Sequence, residues 1–205
     1  MNIIMEKKNG KAKEFDYNTG ELVFEGEYLY NQKIKGKKYI NGKLEYEGDY
    51  LFDKKWNGKG YDKNGNIIYE LVNGNGTIKQ YNQENILIYE GEYLNGIKNG
   101  KGKEYQYGKL IYEGEYLNGK RNRKGKEYSN KNINLLYEGE FLNGKRNGKG
   151  KECDPFYLGR VIFDGEFLNG ERWKGIMKEY HNYNKLKFEV EYIDGKINGK
   201  GKRIL

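Results

Sequence analysis

A repeat of about 23 residues runs along the whole chain and limits what the chain can fold into. The string YEGEYLNGIKNGKGKEY at 89–105 returns almost unchanged at 112–128 and again at 137–152. Each of eight units begins with an aromatic anchor: Phe24, Tyr46, Tyr69, Tyr89, Tyr112, Tyr137, Phe163 and Phe188. This period predicts one repeat array over residues 1–205, with no domain boundary visible in the sequence.

Within a unit the residues alternate with a period of two, which predicts a β-strand. In the fifth unit, Leu110, Tyr112, Gly114 and Tyr116 share one face, and the positions that flank Gly114 are acidic, Glu113 and Glu115. Helix is disfavoured, because glycine recurs often and the apolar residues show no period of 3.6. The predicted repeat core consists of Tyr89, Gly91, Tyr93, Tyr112, Gly114, Tyr116, Tyr137, Gly139 and Phe141.

Asn-Gly pairs follow four of these strands and predict tight turns, because both residues tolerate positive φ. The pairs are Asn95-Gly96, Asn118-Gly119, Asn143-Gly144 and Asn169-Gly170. A second strand is expected a few residues later, as in GKGKEY at 100–105. Glycines placed beneath the aromatic rings would set lysines opposite the glutamates. We therefore predict an all-β fold, an elongated single-layer antiparallel array of about eight β-hairpins.

The pattern Tyr-x-Gly-x-aromatic-x-x-Gly-Lys-x-x-Gly-x-Gly resembles the MORN repeat (membrane occupation and recognition nexus). The best match consists of Tyr137, Gly139, Phe141, Gly144, Lys145, Gly148 and Gly150. Half-repeats stand at both ends, at 9–15 and 198–205. The resemblance implies a single-layer sheet of hairpins that serves as a scaffold, linker or dimerisation module. It also implies that phosphoinositides or acidic phospholipids are candidate ligands.

The sequence departs from this pattern in several places. The third unit, near 69–81, lacks the first glycine and most of the hairpin loop, so it is expected to bend the array or to mark a contact site. Arg123 replaces a loop glycine, and Val190 replaces the anchor glycine of the last unit. Tyr or Phe stands where many MORN repeats carry Trp. A hairpin-repeat family of bacterial antitoxin-like proteins is a weaker match.

The sequence predicts no catalytic site, metal site or cofactor. His181, Cys153 and Ser129 are each the only residue of their type, and all lie in different repeats. Pairs such as Glu113 and Glu115 recur in nearly every unit, whereas a catalytic pair of carboxylates is unique. The residues thus disfavour an enzyme.

Binding is the remaining function, and the chain carries a net charge of +8. Basic residues concentrate in the fourth to sixth units: Lys98, Lys101, Lys103, Lys120, Arg121, Lys124, Lys126, Lys145, Arg146, Lys149 and Lys151. These residues are predicted to contact a protein partner, which includes a second copy of the chain, or else an acidic phospholipid surface. Nucleic acid is disfavoured, because the aromatic residues face the buried side.

The predicted location is cytoplasmic, in solution or peripheral to a membrane or the cytoskeleton. Cys153 allows no internal disulfide, which fits a reducing compartment. The first ten residues, MNIIMEKKNG, contain too short an apolar run for a signal peptide.

Overall fold

A computed structural model describes residues 8–181, 185–198 and 201–203. Every regular element in these ranges is a β-strand. The strands are β1 (Gly10–Phe15), β2 (Leu22–Leu29), β3 (Gln32–Ile40), β4 (Lys43–Leu51), β5 (Lys54–Tyr61), β6 (Ile67–Leu71), β7 (Gly76–Tyr81), β8 (Leu87–Leu94), β9 (Ile97–Gln106), β10 (Lys109–Leu117), β11 (Lys120–Tyr128), β12 (Leu135–Leu142), β13 (Lys145–Cys153), β14 (Val161–Leu168), β15 (Glu171–Tyr180), β16 (Leu186–Ile193), β17 (Lys196–Ile197) and β18 (Lys202–Arg203). The all-β fold of consecutive antiparallel hairpins is confirmed.

The chain divides into two compact units, residues 1–100 and 101–205, and strand β9 crosses the division. In the first unit, β1 to β6 form a six-stranded antiparallel sheet whose order follows the chain. Strands β7 and β8 pair with each other in a separate sheet. The irregular third repeat thus lies where the first sheet ends.

In the second unit, β10 to β17 are antiparallel neighbours in chain order. Strands β17 and β18 both pair with β16 as two short pieces of an edge, and β18 lies in the half-repeat at 198–205. Residues 199–200 and 204–205 of that half-repeat, and the first seven residues of the chain, lie outside the described residues.

All four predicted Asn-Gly turns are confirmed, since both residues of each turn have positive φ. At Asn118-Gly119, for example, φ is 50° and 82°, the geometry that lets two residues join twisted strands. The expected interval before the second strand is wrong. Strand β11 begins at Lys120, immediately after the turn, because a two-residue turn of this type returns the chain directly into the ladder.

The predicted register is confirmed between β10 and β11, where Gly114 lies opposite Gly125 and Glu113 opposite Lys126. A bulge follows, because Glu115 then pairs with Asn122 and two residues of β11 are skipped. One of them, Arg123, has a φ of 55°. The bulge absorbs the residues that would otherwise have formed a longer loop.

The aromatic rings of the second unit cover bare backbone, as the repeated glycines require. A Cβ atom added to either Gly114 or Gly125 would lie 2.4 Å from the Tyr112 hydroxyl oxygen. The Tyr112 ring meets the rings of Tyr116 and Phe141 edge to face, with centroids 5.5 and 5.3 Å away. Successive hairpins therefore share one row of interlocking rings.

The turns at Gly144 and Gly170 are also tied to the preceding hairpins by backbone hydrogen bonds. The N–H of Gly144 donates to the carbonyl of Arg121 at 2.8 Å, and the N–H of Gly170 donates to that of Arg146 at 2.9 Å. The side-chain oxygen of Asn147 accepts the N–H of Asn169 at 3.2 Å. The turns are thereby held in fixed positions along one edge of the unit.

Candidate functional site

Six repeats place a cationic side chain over the ring of their own aromatic anchor. The cation always comes nine residues after the anchor, because the tight turn brings the second strand back beside the ring. The pairs are Lys33 over Phe24, Lys55 over Tyr46, Lys98 over Tyr89, Arg121 over Tyr112, Arg146 over Tyr137 and Arg172 over Phe163. The distances to the ring centroids run from 4.1 Å for Lys98 to 5.3 Å for Arg172, within cation–π range.

In the second unit these cations alternate with glutamates to form a carboxylate–arginine ladder. In order along the sheet, the ladder consists of Glu104, Arg121, Glu127, Arg146, Glu152 and Arg172. Arg121 contacts Glu104 at 2.5 Å and Glu127 at 2.8 Å, and Arg146 contacts the other oxygen of Glu127 at 2.7 Å. The side chains are about one-fifth exposed, so these ion pairs are screened less than surface pairs.

Two of the residues predicted to contact a partner, Arg121 and Arg146, therefore lie within this ladder. Burial alone would lower the pKa of Arg121, but the hydrogen bond and charge of Glu104 outweigh burial and raise that pKa. The sequence reasoning missed this arrangement, although the constant nine-residue spacing was available as a signal. Lys98 has the same placement over Tyr89 in the first unit.

The opposite face of the second unit carries Lys–carboxylate pairs, as the register predicts. Lys126 lies 3.3 Å from Glu138, and Lys151 lies 3.3 Å from Asp164. These side chains are about half exposed, so each pair contributes at most about 1 kcal/mol. Lys126 and Lys151 are therefore balanced by adjacent carboxylates.

The remaining basic residues of the predicted contact set are exposed. Within the described part of the chain they take part in no ion pair with a side-chain carboxylate: Lys101, Lys103, Lys120, Lys124, Lys145 and Lys149. Lys120 and Lys145 follow the turns, while Lys124 and Lys149 lie within the bulges. These positions repeat from one hairpin to the next.

A buried ionic cluster in the first unit departs from the repeat. Lys55 contacts Glu45 at 2.5 Å and the Tyr69 hydroxyl at 2.8 Å. Glu45 is the extra residue of a bulge, since Lys38 pairs with Tyr46 and Tyr39 pairs with Leu44. Burial lowers the pKa of Lys55 to about 8, although the charge of Glu45 opposes that shift.

Cys153 and Ser129, two of the residues considered for catalysis, are not placed as nucleophiles. Cys153 is buried, and burial raises the pKa of its thiol, whereas a nucleophilic cysteine needs a lowered pKa. The Ser129 hydroxyl accepts the N–H of Lys131 at 3.2 Å and belongs to a connector turn. Across the ranges that the structure describes, no group of three His, Cys, Asp or Glu side chains could hold a metal ion. No helix long and apolar enough to span a membrane occurs in those ranges.

Hairpins joined by tight turns, with ring rows and ion ladders between neighbours, define a β-hairpin repeat protein. The family model of the MORN repeat matches residues 89–106, 112–132, 137–155 and 191–205. The chain therefore contains MORN repeats at these four positions. No curated protein matches it. MORN repeats are a non-enzymatic repeat type, known in protein–protein and in membrane or lipid interactions.

Proposed function

We propose that this protein is a non-catalytic cytoplasmic scaffold that binds a protein partner or a second copy of itself. One observation carries the proposal: the connectors of the second unit present large apolar side chains to solvent. Tyr107, Phe156 and Leu158 are each about four-fifths exposed, and Ile133 is 62% exposed. Large apolar side chains that are exposed together on neighbouring connectors offer apolar surface that a protein partner can bury.

Within the hairpins of the second unit, aromatic rings pack against one another and ion pairs join many of the charged side chains. The ladder arginines, together with Lys126 and Lys151 on the outer face, are paired with carboxylates, so the sheet faces combine ion pairs with exposed lysines. A rigid framework with exposed apolar connectors binds a partner at little cost in conformational entropy.

The test combines affinity capture from the native cell extract with analytical ultracentrifugation. We expect either a specific protein enriched in near-stoichiometric amount or a monomer–dimer equilibrium that depends on concentration. An unrelated β-sheet protein on the same beads serves as the control. A chain that stays monomeric and enriches nothing above that control would contradict the proposal.

A second candidate function is binding to an anionic membrane surface, and a separate observation favours it. Lys120, Lys124, Lys145 and Lys149 are exposed, repeat in register and belong to none of the described ion pairs. Each lysine near an anionic surface contributes about 1 kcal/mol.

The vesicle test must leave the ladder intact, because replacing Arg121 or Arg146 would also damage the fold. We compare co-sedimentation with phosphoinositide-containing vesicles for the wild type and for the variant with Lys120, Lys124, Lys145 and Lys149 all changed to Glu. The matched control changes four exposed lysines of the first unit to Glu: Lys11, Lys35, Lys43 and Lys59. Membrane binding through the second unit requires that only the first variant loses binding; equal binding by all three proteins would rule it out.

A further inference from the structure

A groove of 510 Å³ lies in the second unit, beside the connectors that follow β9, β11 and β13. Its apolar lining includes Ile111 and Leu136, which precede the anchors Tyr112 and Tyr137. Leu136 is the extra residue of a bulge, because Glu127 pairs with Tyr137 and Tyr128 pairs with Leu135. Phe156 stands at the rim with 81% of its surface exposed. The groove has the size of an ordinary ligand site.

Hydrogen bonds between the connectors hold the groove open in one shape. The side-chain amide of Asn132 donates to the carbonyl of Pro155 at 2.6 Å, and that of Asn130 donates to the Gln106 side-chain oxygen at 3.0 Å. The Lys109 ammonium donates to the carbonyl of Lys131 at 2.8 Å. The site therefore exists before a ligand arrives, which reduces the entropy lost on binding.

The side chain of Arg160 packs against the loop that carries Phe156 and supports it. The guanidinium of Arg160 lies 3.6 Å from the centroid of the Tyr157 ring and 3.5 Å from the Asp154 carboxylate. Arg160 is buried, so this bracing is shielded from solvent. Phe156 is thus presented on a fixed support and does not collapse onto the sheet.

The charge of the groove is positive on balance. Arg121 and Glu127 at the floor are 2.8 Å apart and neutralise each other within the ladder. Lys131 is exposed at the rim, and no carboxylate pairs with it among the described residues. A ligand that fits must therefore supply apolar surface for the walls and a negative charge for Lys131. A phospholipid head group fits less well, because it needs several converging cations.

We propose that this groove binds a protein segment in which a bulky apolar side chain adjoins an acidic one. The apolar side chain packs against Leu136 and Phe156, and the carboxylate pairs with Lys131. The proposal rests on the scaffold function and names the class of partner that the second unit recognises.

The test selects a display library of random short peptides on the full chain and measures the affinity of the enriched peptides. We expect Asp or Glu next to Leu, Ile or Phe in these peptides. Phe156→Ser or Lys131→Glu should weaken their binding by about tenfold or more. Two controls in the first unit should leave peptide binding unchanged: Tyr17→Ser and Lys11→Glu. All four sites are exposed, so the fold should tolerate each change.

Several outcomes would overturn the groove proposal. They are a selection without binders, enrichment of basic peptides, or affinities that Phe156→Ser and Lys131→Glu leave unchanged. Vesicle binding that Phe156→Ser abolishes, with no peptide bound, would assign the loop to a membrane.

The scaffold proposal fails separately. If a captured cellular partner binds both groove variants as tightly as the wild type, the groove proposal is wrong and the scaffold stands. If peptides bind as expected but no cellular partner or self-association is found, the scaffold proposal is wrong and the groove proposal stands.

Discussion

At the scale of single residues, each repeat depends on one ring that lies over two glycines. Tyr112 is fully buried, covers Gly114 and Gly125, and packs against two further rings. Its hydroxyl donates to the carbonyl of Glu115 at 3.2 Å. The glycines explain why the ring can approach the backbone, and the hydrogen bond explains why tyrosine can be buried there.

We expect Tyr112→Ala to lower the free energy of unfolding by about 3–5 kcal/mol, because it leaves a cavity between two hairpins. Urea denaturation measures this loss. Tyr107→Ala is the control, since Tyr107 is exposed at a connector, and it should change stability by less than about 0.5 kcal/mol. Similar effects of the two substitutions would contradict the assignment of the core.

Arg123 occupies a bulge position that favours glycine. Its φ is 55°, and the equivalent residue of the next hairpin is Gly148, with a φ of 83°. A left-handed backbone costs a side-chain-bearing residue about 1–2 kcal/mol. The contact of Arg123 with Glu115 at 3.4 Å is largely exposed and contributes little.

We therefore expect Arg123→Gly to stabilise the chain by about 0.5–1 kcal/mol, after allowance for the added freedom of the unfolded state. Arg123→Ala is the comparison, because it removes the same side chain and keeps the backbone strain. A shift of the thermal midpoint that is equal for both variants would show that the strain is unimportant.

At the scale of the strand pair, the two faces of the sheet use charge differently. The ladder on the ring face is four-fifths buried and continuous, whereas the outer pairs are isolated and half exposed. Removing one arginine from the ladder leaves the glutamates on either side of it with fewer partners, although these glutamates are largely buried.

Arg146→Leu should therefore cost about 1–3 kcal/mol of stability, although leucine retains the apolar contact with the Tyr137 ring. The matched change on the outer face is Lys151→Leu, which should cost less than about 1 kcal/mol. Chemical denaturation of both variants tests the comparison. An outer-face loss as large as the ladder loss would contradict the proposed division between the faces.

The buried Lys55 makes the first unit sensitive to pH. Because its pKa in the folded chain is about 8, below the ordinary 10.5, the unfolded chain binds more protons between these values. The stability contributed by this site should therefore rise as the pH increases through 8 towards 10. Below pH 8 the lysine is protonated in both states, and this dependence disappears.

Lys55→Met removes the titrating group and provides the measurement. The difference in unfolding free energy, wild type minus variant, should increase from pH 8 to about pH 10. Ionisation of surface tyrosines affects both proteins alike and cancels in the difference. A difference that stays flat or falls over this range would show that Lys55 titrates near its ordinary pKa.

At the scale of the whole molecule, the repeat pattern was enough to predict the all-β fold, the Asn-Gly turns and the Glu113–Lys126 register. Those features follow from local alternation and turn chemistry, which a single unit contains. The position of Arg121 over Tyr112 depends on a bulge after Gly114, and the alternation of residues does not reveal where a bulge falls.

Glu45 shows the same limitation in the first unit. All but one of the other equivalent positions carry aliphatic residues such as Leu136, so the sequence marks Glu45 as unusual without showing its partner. That partner, Lys55, comes from the adjacent strand and meets Tyr69 of the next repeat. Such contacts between repeats can be predicted only when the strand register is known on both sides of the repeat.

A chain built from neighbouring hairpins should lose stability locally when one hairpin is damaged. Tyr137 packs against Phe141 and Phe167, at centroid distances of 5.2 and 4.9 Å, and its ring lies under Arg146. Its ring contacts join its own hairpin to the next one, and its backbone pairs with Glu127 of the preceding hairpin. Stability in such a protein is approximately a sum of unit and neighbour terms.

We expect Tyr137→Ala to accelerate amide hydrogen exchange most in β12 to β14, while the amides of β2 to β5 retain their protection. Native-state hydrogen exchange followed by mass spectrometry resolves these strands separately. Tyr46→Ala is the matched variant, and it should produce the opposite pattern because Tyr46 is buried in the first unit. If either substitution accelerated exchange equally in all strands, the chain would unfold as one cooperative unit and a nearest-neighbour description would be wrong.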